Sequence, residues 1–119
     1  MSTGPTGAPQ PALTLRTYPK DEAIVVECHG RLTSSTGGIL QSEVKPLLRQ
    51  TKHVILDLTN LWQVDSMGLG TLIALYVSAK TAGCRLELIN LSKKVRELLG
   101  MTNLLSVFGV FAEDPHRMP

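Results

Sequence analysis

Aromatic side chains are scarce in this chain: two Phe, two Tyr and one Trp make up 4% of its 119 residues. With hydrophobic residues at 43%, the core has to be aliphatic, built from Leu, Val and Ile. Cysteine is almost missing. Cys28 and Cys84 are too few for a disulfide framework and fall in apolar surroundings, which reads as two buried thiols in a reducing compartment. There is no C-x-x-C, and His29, His53 and His116 are scattered, so neither a metal site nor a cofactor is expected. No apolar run approaches the roughly 20 residues that span a bilayer, and Met1–Ala12 lacks the apolar stretch of a signal peptide. Nor does one sign of charge dominate: Lys plus Arg number 12 and Asp plus Glu 10, for a net charge of +2. No basic block exists to track a phosphate backbone, so direct nucleic-acid binding is not expected. A single domain of this size has little room for a deep, walled catalytic pocket. The expectation is a small cytoplasmic regulatory or binding module, not an enzyme, with no membrane contact.

What is present organises into alternating elements. Met1–Ala12 carries Pro5, Pro9 and Pro11 among glycines and reads as a disordered tail; 112–119 reads as a second, flexible one. Leu13, Leu15 and Thr17 alternate with polar neighbours, as in a strand with one wet face. Pro19-Lys20-Asp21-Glu22 reads as a turn into a second strand over Ala23–Cys28, giving an antiparallel hairpin. Gly30 to Gly38 reads as a loop and helix cap. Leu40, Val44, Leu47 and Leu48 mark an amphipathic helix that Pro46 should kink or shorten. Val54–Leu58 is an apolar run suited to a central parallel strand, with Asp57 near its end. A loop through Trp62 and Val64 then leads to a helix carrying Leu69, Leu72, Ile73, Tyr76 and Val77, which stops near Gly83. Arg85–Ile89 reads as strand, Ser92 as the cap of a helix with Val95, Leu98 and Leu99, and Val107–Phe111 as a short last strand. The predicted fold is α/β, in the order ββαβαβα: a mixed β-sheet of about four to five strands flanked by helices.

The segment with chemical content is Val64-Asp65-Ser66-Met67-Gly68-Leu69-Gly70. It opens a helix, where free N–H groups point outward; Asp65 or Ser66 can cap it, and an anion on Ser66 would meet a favourable dipole end. Glycine at 68 and 70 costs up to about 1 kcal/mol each relative to alanine. Either another backbone, a partner or a ligand comes close there, or the glycines simply fit against the neighbouring strand. Sharper chemistries fail on the residues. A nucleophile elbow requires glycine where Val64 stands, and no histidine is placed to serve as base. Neither phosphate-binding glycine motif is present. Asp57 as a phosphoacceptor would need an acidic pocket near the first strand, and the hairpin supplies none.

Three stretches carry a resemblance: Val54–Leu58, then Asp65-Ser66-Met67-Gly68-Leu69-Gly70, then Gly83-Cys84-Arg85-Leu86-Glu87-Leu88, supported by Val95–Leu99 and Met101–Leu104. Together they look like the STAS domain and, more narrowly, are similar to the bacterial anti-sigma factor antagonists. The resemblance spans about residues 13–111. It implies a STAS-like fold and a phosphorylation switch in which Ser66 is modified by a partner that is both serine kinase and anti-sigma factor, and reset by a serine phosphatase. The unmodified protein would bind the kinase and release a sigma factor; the phosphorylated form would let go. Arg31, Thr33, Ser34 and Ser35, with Asp65, Met67, Gly68 and Leu69, are the expected partner surface, and homodimerisation is left open. One departure bears on this reading. Where the family usually has G-E-L-D, this chain has Gly30-Arg31-Leu32-Thr33, which removes two acids and reverses the charge at position 31. The alternative is a non-switching STAS adaptor in a stress-signalling or lipid-transport complex. Trp62 reads as either a partner anchor or packing under its loop.

Overall fold

Asp21, at φ 55°, and Glu22 form the tight turn between β1 (Leu13–Lys20) and β2 (Ala23–Leu32), which pair antiparallel from Leu13↔Gly30 to Lys20↔Ala23. Pro19 and Lys20 therefore belong to β1 rather than to the turn. The computed structural model describes residues 12–93 and 95–97. After β2 come α1 (Gly37–Leu47), β3 (His53–Val64), α2 (Ser66–Ala82) and β4 (Arg85–Ile89). The four strands form one sheet in the order β1-β2-β3-β4, mixed as expected: β3 runs parallel to both β2 and β4.

Parallel neighbours need a crossover, and α1 and α2 supply it. Both crossovers step the same way across the sheet, so their common right-handedness puts both helices on one face. That face is the aliphatic core the composition requires. Val26 and Cys28 of β2, Val54, Leu56 and Leu58 of β3, and Leu86 and Leu88 of β4 meet Leu40 and Val44 of α1 and Leu72, Leu75 and Ala79 of α2. Cys28 and Cys84 are free and buried, and burial pushes the Cys28 thiol up to about 12.

The opposite face of the sheet carries a set of polar contacts beside the buried Val25. Glu27 accepts from the Tyr18 hydroxyl at 3.1 Å, lies 3.5 Å from Arg16 and 3.7 Å from His29. His53 contacts Glu87, which also lies 3.6 Å from Arg85. Asp57 accepts from the Thr59 amide at 3.0 Å and from the Asn90 side chain at 3.3 Å.

Further expected boundaries shift. β2 runs past Cys28 to Leu32, and β3 runs past Leu58 to Val64, because the two strands keep pairing through two irregularities in register. Asp57 therefore sits inside β3 rather than at its end, and Trp62 and Val64 are strand residues rather than loop. The helix α1 continues through Pro46 and ends one residue later, so the proline falls in its last turn. On α2, Leu69 and Leu72 are buried as expected and Ile73 and Tyr76 pack against the core, but Val77 is exposed and Leu75 and Ala79 face inward instead. Ser92 caps the next helical turn: the Val95 amide donates to its hydroxyl at 3.2 Å and the Arg96 amide to its carbonyl at 2.9 Å. The rest of that helix (Leu98, Leu99), the strand expected over Val107–Phe111, and the segments 1–11 and 112–119 lie outside the described residues.

Leu56 of β3 is completely buried in the core between the sheet and the helices. Leu56→Ala is expected to lower unfolding free energy by about 2–5 kcal/mol, read as a reduced urea midpoint. A loss below about 1 kcal/mol would contradict this core assignment.

Candidate functional site

The candidate site forms where the ends of β2 and β3 meet the start of α2. Leu32 and Val64 are paired at the ends of their strands, and the Leu32 carbonyl accepts the Asp65 amide at 3.3 Å. Asp65 then turns the chain. It takes an extended conformation at the N-cap, and its carboxylate accepts the Gly68 amide at 2.8 Å, satisfying one of the donors that open a helix. Asp65, not Ser66, is thus the cap.

Gly68 is required by contact. A Cβ at this position would stand 2.0 Å from the Leu32 carbonyl oxygen, a backbone atom that cannot swing away. The glycine lets the first turn of α2 lie directly on the end of β2. Gly70 differs: a Cβ there would meet nothing within 4 Å. Of the two readings left open for these glycines, fitting against the neighbouring strand holds for Gly68, while no packing among the described residues explains Gly70.

Ser66 is the first residue of α2, exposed, and its hydroxyl has no hydrogen-bond partner among the described residues. Met67 beside it is 62% exposed. The described histidines lie elsewhere, His53 with Glu87 and His29 with Glu27. An open groove of about 1040 Å³, lined by residues including Lys45, Arg49, Val77 and Thr81, lies toward the opposite end of α2 from Ser66.

The segment after β2 closes on itself. The Thr36 hydroxyl donates to the Arg31 carbonyl at 2.9 Å and accepts the Thr33 amide at 2.8 Å; the Thr33 and Ser35 hydroxyls lie 3.1 Å apart. Thr36 holds the N-cap position of α1 yet makes no side-chain cap bond, because its hydroxyl is committed to this turn. Gly37 then packs on Thr71, whose hydroxyl donates to the Met67 carbonyl at 3.2 Å. The structure therefore brings the 31–36 turn and the 65–70 segment together. Within the expected surface, Arg31, Ser34, Ser35 and Met67 are exposed and Thr33 and Asp65 half-buried. Gly68 and Leu69 are buried: Leu69 points into the core, so its side chain is structural.

Sequence reasoning missed one relation. Trp62 is 59% exposed on β3, with the Arg31 guanidinium over its ring at 5.6 Å from the centroid. It therefore does not pack under a loop. Reading 59–64 as loop hid the pairing that brings these two residues together.

A model of the STAS domain family matches residues 14–114. The chain belongs to the STAS domain family. Among curated proteins it is similar to an anti-sigma F factor antagonist of Paenibacillus polymyxa, 26% identical over 97 residues covering 80% of this chain and 83% of that one. It is also similar to an anti-sigma-B factor antagonist of Bacillus subtilis, 27% identical over 91 residues covering 76% and 84%. The fold matches that of the anti-sigma factor antagonist SpoIIAA in its unphosphorylated form, with a TM-score of 0.68, 19% identity and coverage of 87% and 88%. The Bacillus SpoIIAA structure in the phosphorylated form matches with a TM-score of 0.64, 18% identity and coverage of 87% and 91%. Among the described residues, no helix is long and apolar enough to cross a membrane.

The two glycines of this STAS domain are expected to separate sharply on mutation. Gly68→Ala should cost about 2–3 kcal/mol or abolish folding, since backbone must move to admit the methyl. Gly70→Ala should stabilise the chain by up to about 1 kcal/mol through helix propensity alone. Thermal unfolding of both variants checks this; similar shifts in the two would contradict the close approach at Leu32.

Proposed function

We propose that this STAS domain is an anti-sigma factor antagonist switched at Ser66. Unphosphorylated, it binds an anti-sigma factor that is also a serine kinase and so frees a sigma factor. Phosphorylated at Ser66, it is released, and a serine phosphatase resets it. It acts as the kinase's substrate rather than as an enzyme, and as a cytoplasmic protein. The observation that carries this reading is the presentation of Ser66. It is an exposed hydroxyl with no hydrogen-bond partner among the described residues, at the first position of a helix, on a backbone fixed by the Asp65 cap and by Gly68 against Leu32. The curated relatives, both antagonists of anti-sigma factors, support the partner class.

The electrostatics fit a switch without refolding. A phosphate adds about −1.5 to −2 charges and three strong acceptors. On the first residue of α2 it faces the favourable end of the helix dipole, worth about 0.3–1 kcal/mol, while Asp65 next to it opposes. These terms oppose each other inside the domain. At an apolar docking surface beside Met67 the dianion must also be stripped of water, which costs several kcal/mol when no partner charge meets it.

Incubation with the cognate kinase and ATP, followed by mass spectrometry, is expected to place the phosphate on Ser66. Ser66→Ala should abolish labelling, and Ser66→Asp should weaken kinase binding about tenfold or more. Label persisting in Ser66→Ala would overturn the site. The adaptor reading rests on Arg31 and Thr33, which stand where the family usually has acids; a kinase-free complex with transporter or stress-signalling subunits would favour it.

A further inference from the structure

We infer that Arg31 and Trp62 form a recognition lip at the ends of β2 and β3, on the strands that lead to the Ser66 segment, that selects a partner presenting a carboxylate within an apolar contact. This rests on the function proposed above and names the chemistry by which the anti-sigma partner is chosen.

The first observation is the position of the tryptophan. It is the chain's single Trp, in a protein whose core is otherwise aliphatic, and it stands 59% exposed. Register explains why. Gly30 pairs with Leu61 and Arg31 with Gln63, so β3 advances two residues where β2 advances one, and Trp62 is the extra residue. Such a bulge re-aims a side chain without breaking the sheet. Leu61, just before it, is buried, so the irregularity separates one core residue from one surface residue.

The second observation is the arginine. Its guanidinium lies over the Trp62 ring, and no carboxylate among the described residues pairs with it. A guanidinium held over an aromatic face keeps its charge and its five N–H donors, the fork that matches a carboxylate bidentately. Stacking also limits the rotamers that binding must freeze, which lowers the entropic cost of docking. An aromatic ring and an arginine together are the side chains that dominate interface energetics.

The third observation is continuity with the Ser66 segment. Arg31 precedes Leu32, whose carbonyl carries the Asp65 amide and the Gly68 contact; Trp62 lies three residues before Asp65. Met67, on the first turn of α2, is exposed as well. A partner settling on Ser66 with an apolar surface covers the indole and Met67, and its complementary charge at Arg31 is negative.

The single tryptophan gives a direct readout. The full chain labelled with 5-fluorotryptophan should show one ¹⁹F resonance, and the probe is the kinase that labels Ser66 in the assay above. Saturating kinase is expected to shift or broaden that resonance. Arg31→Glu should weaken binding, measured by calorimetry, about tenfold or more, and the wild-type affinity should fall with added salt more steeply than that of Arg31→Gln. Both substitutions are at an exposed side chain, so circular dichroism should be unchanged. An unmoved resonance at saturation, or Arg31→Glu binding within twofold of wild type, overturns the lip while leaving the proposed function standing. If wild-type chain binds no kinase at all, the proposed function fails and the lip falls with it.

Discussion

The Leu32 carbonyl is the point on which the site depends. It receives the Asp65 amide at 3.3 Å and leaves space beside it that only a residue without a Cβ can occupy, which Gly68 does. Two segments more than thirty residues apart in sequence are thereby joined through backbone atoms. The link fixes the start of α2 against the end of β2 and sets Ser66 outward. It also lays the 31–36 turn alongside, where Gly37 meets Thr71 and Thr71 bonds Met67. Remove the close approach and the helix still has its aliphatic stripe, but its first turn no longer has a fixed place.

Rigidity here separates the protein's two tasks. The aliphatic core carries stability: Val26, Leu56, Leu72, Leu75 and Leu88 are all completely buried. The exposed side chains around Ser66 carry little of that burden, since Ser66, Met67, Arg31 and Trp62 are all exposed. In the proposed switch, a phosphate on Ser66 therefore changes what a partner meets while leaving the packing beneath intact. A near-neutral chain makes that change large, because a net charge of +2 offers little field to absorb it.

Much of this was legible in the sequence, and the limits have physical causes. Element order followed from periodicity: the alternation at Leu13–Thr17, the apolar run at Val54–Leu58 and the stripe from Leu69 all appear as strand, strand and helix. A cap at Asp65 or Ser66 and a tension at the glycines were readable, because glycine at a helix start asks for a reason; the choice of Asp65 and of Gly68 needed the Leu32 contact, which lies far off in sequence. Strand ends were not. β2 and β3 extend through Gly30 and through Thr59-Asn60, residues that locally signal turns, because pairing between the strands overrides local propensity. The bulge at Trp62 is a property of two strands at once, so no single stretch announces it. The inward side of α2 was also misjudged at Val77, where Leu75 and Ala79 turn inward instead; the helix is apolar nearly all round, and periodicity alone does not choose among its faces.

The central claim is that modification at Ser66 alters the surface and not the fold. Comparison of ¹H–¹⁵N spectra of the full chain before and after stoichiometric phosphorylation by its kinase tests this most directly. The account predicts amide shifts concentrated in residues 31–37 and 62–71, with β4 and the second half of α2 unmoved. Shifts spread through the core, or phosphate incorporated at a residue other than Ser66, would contradict it.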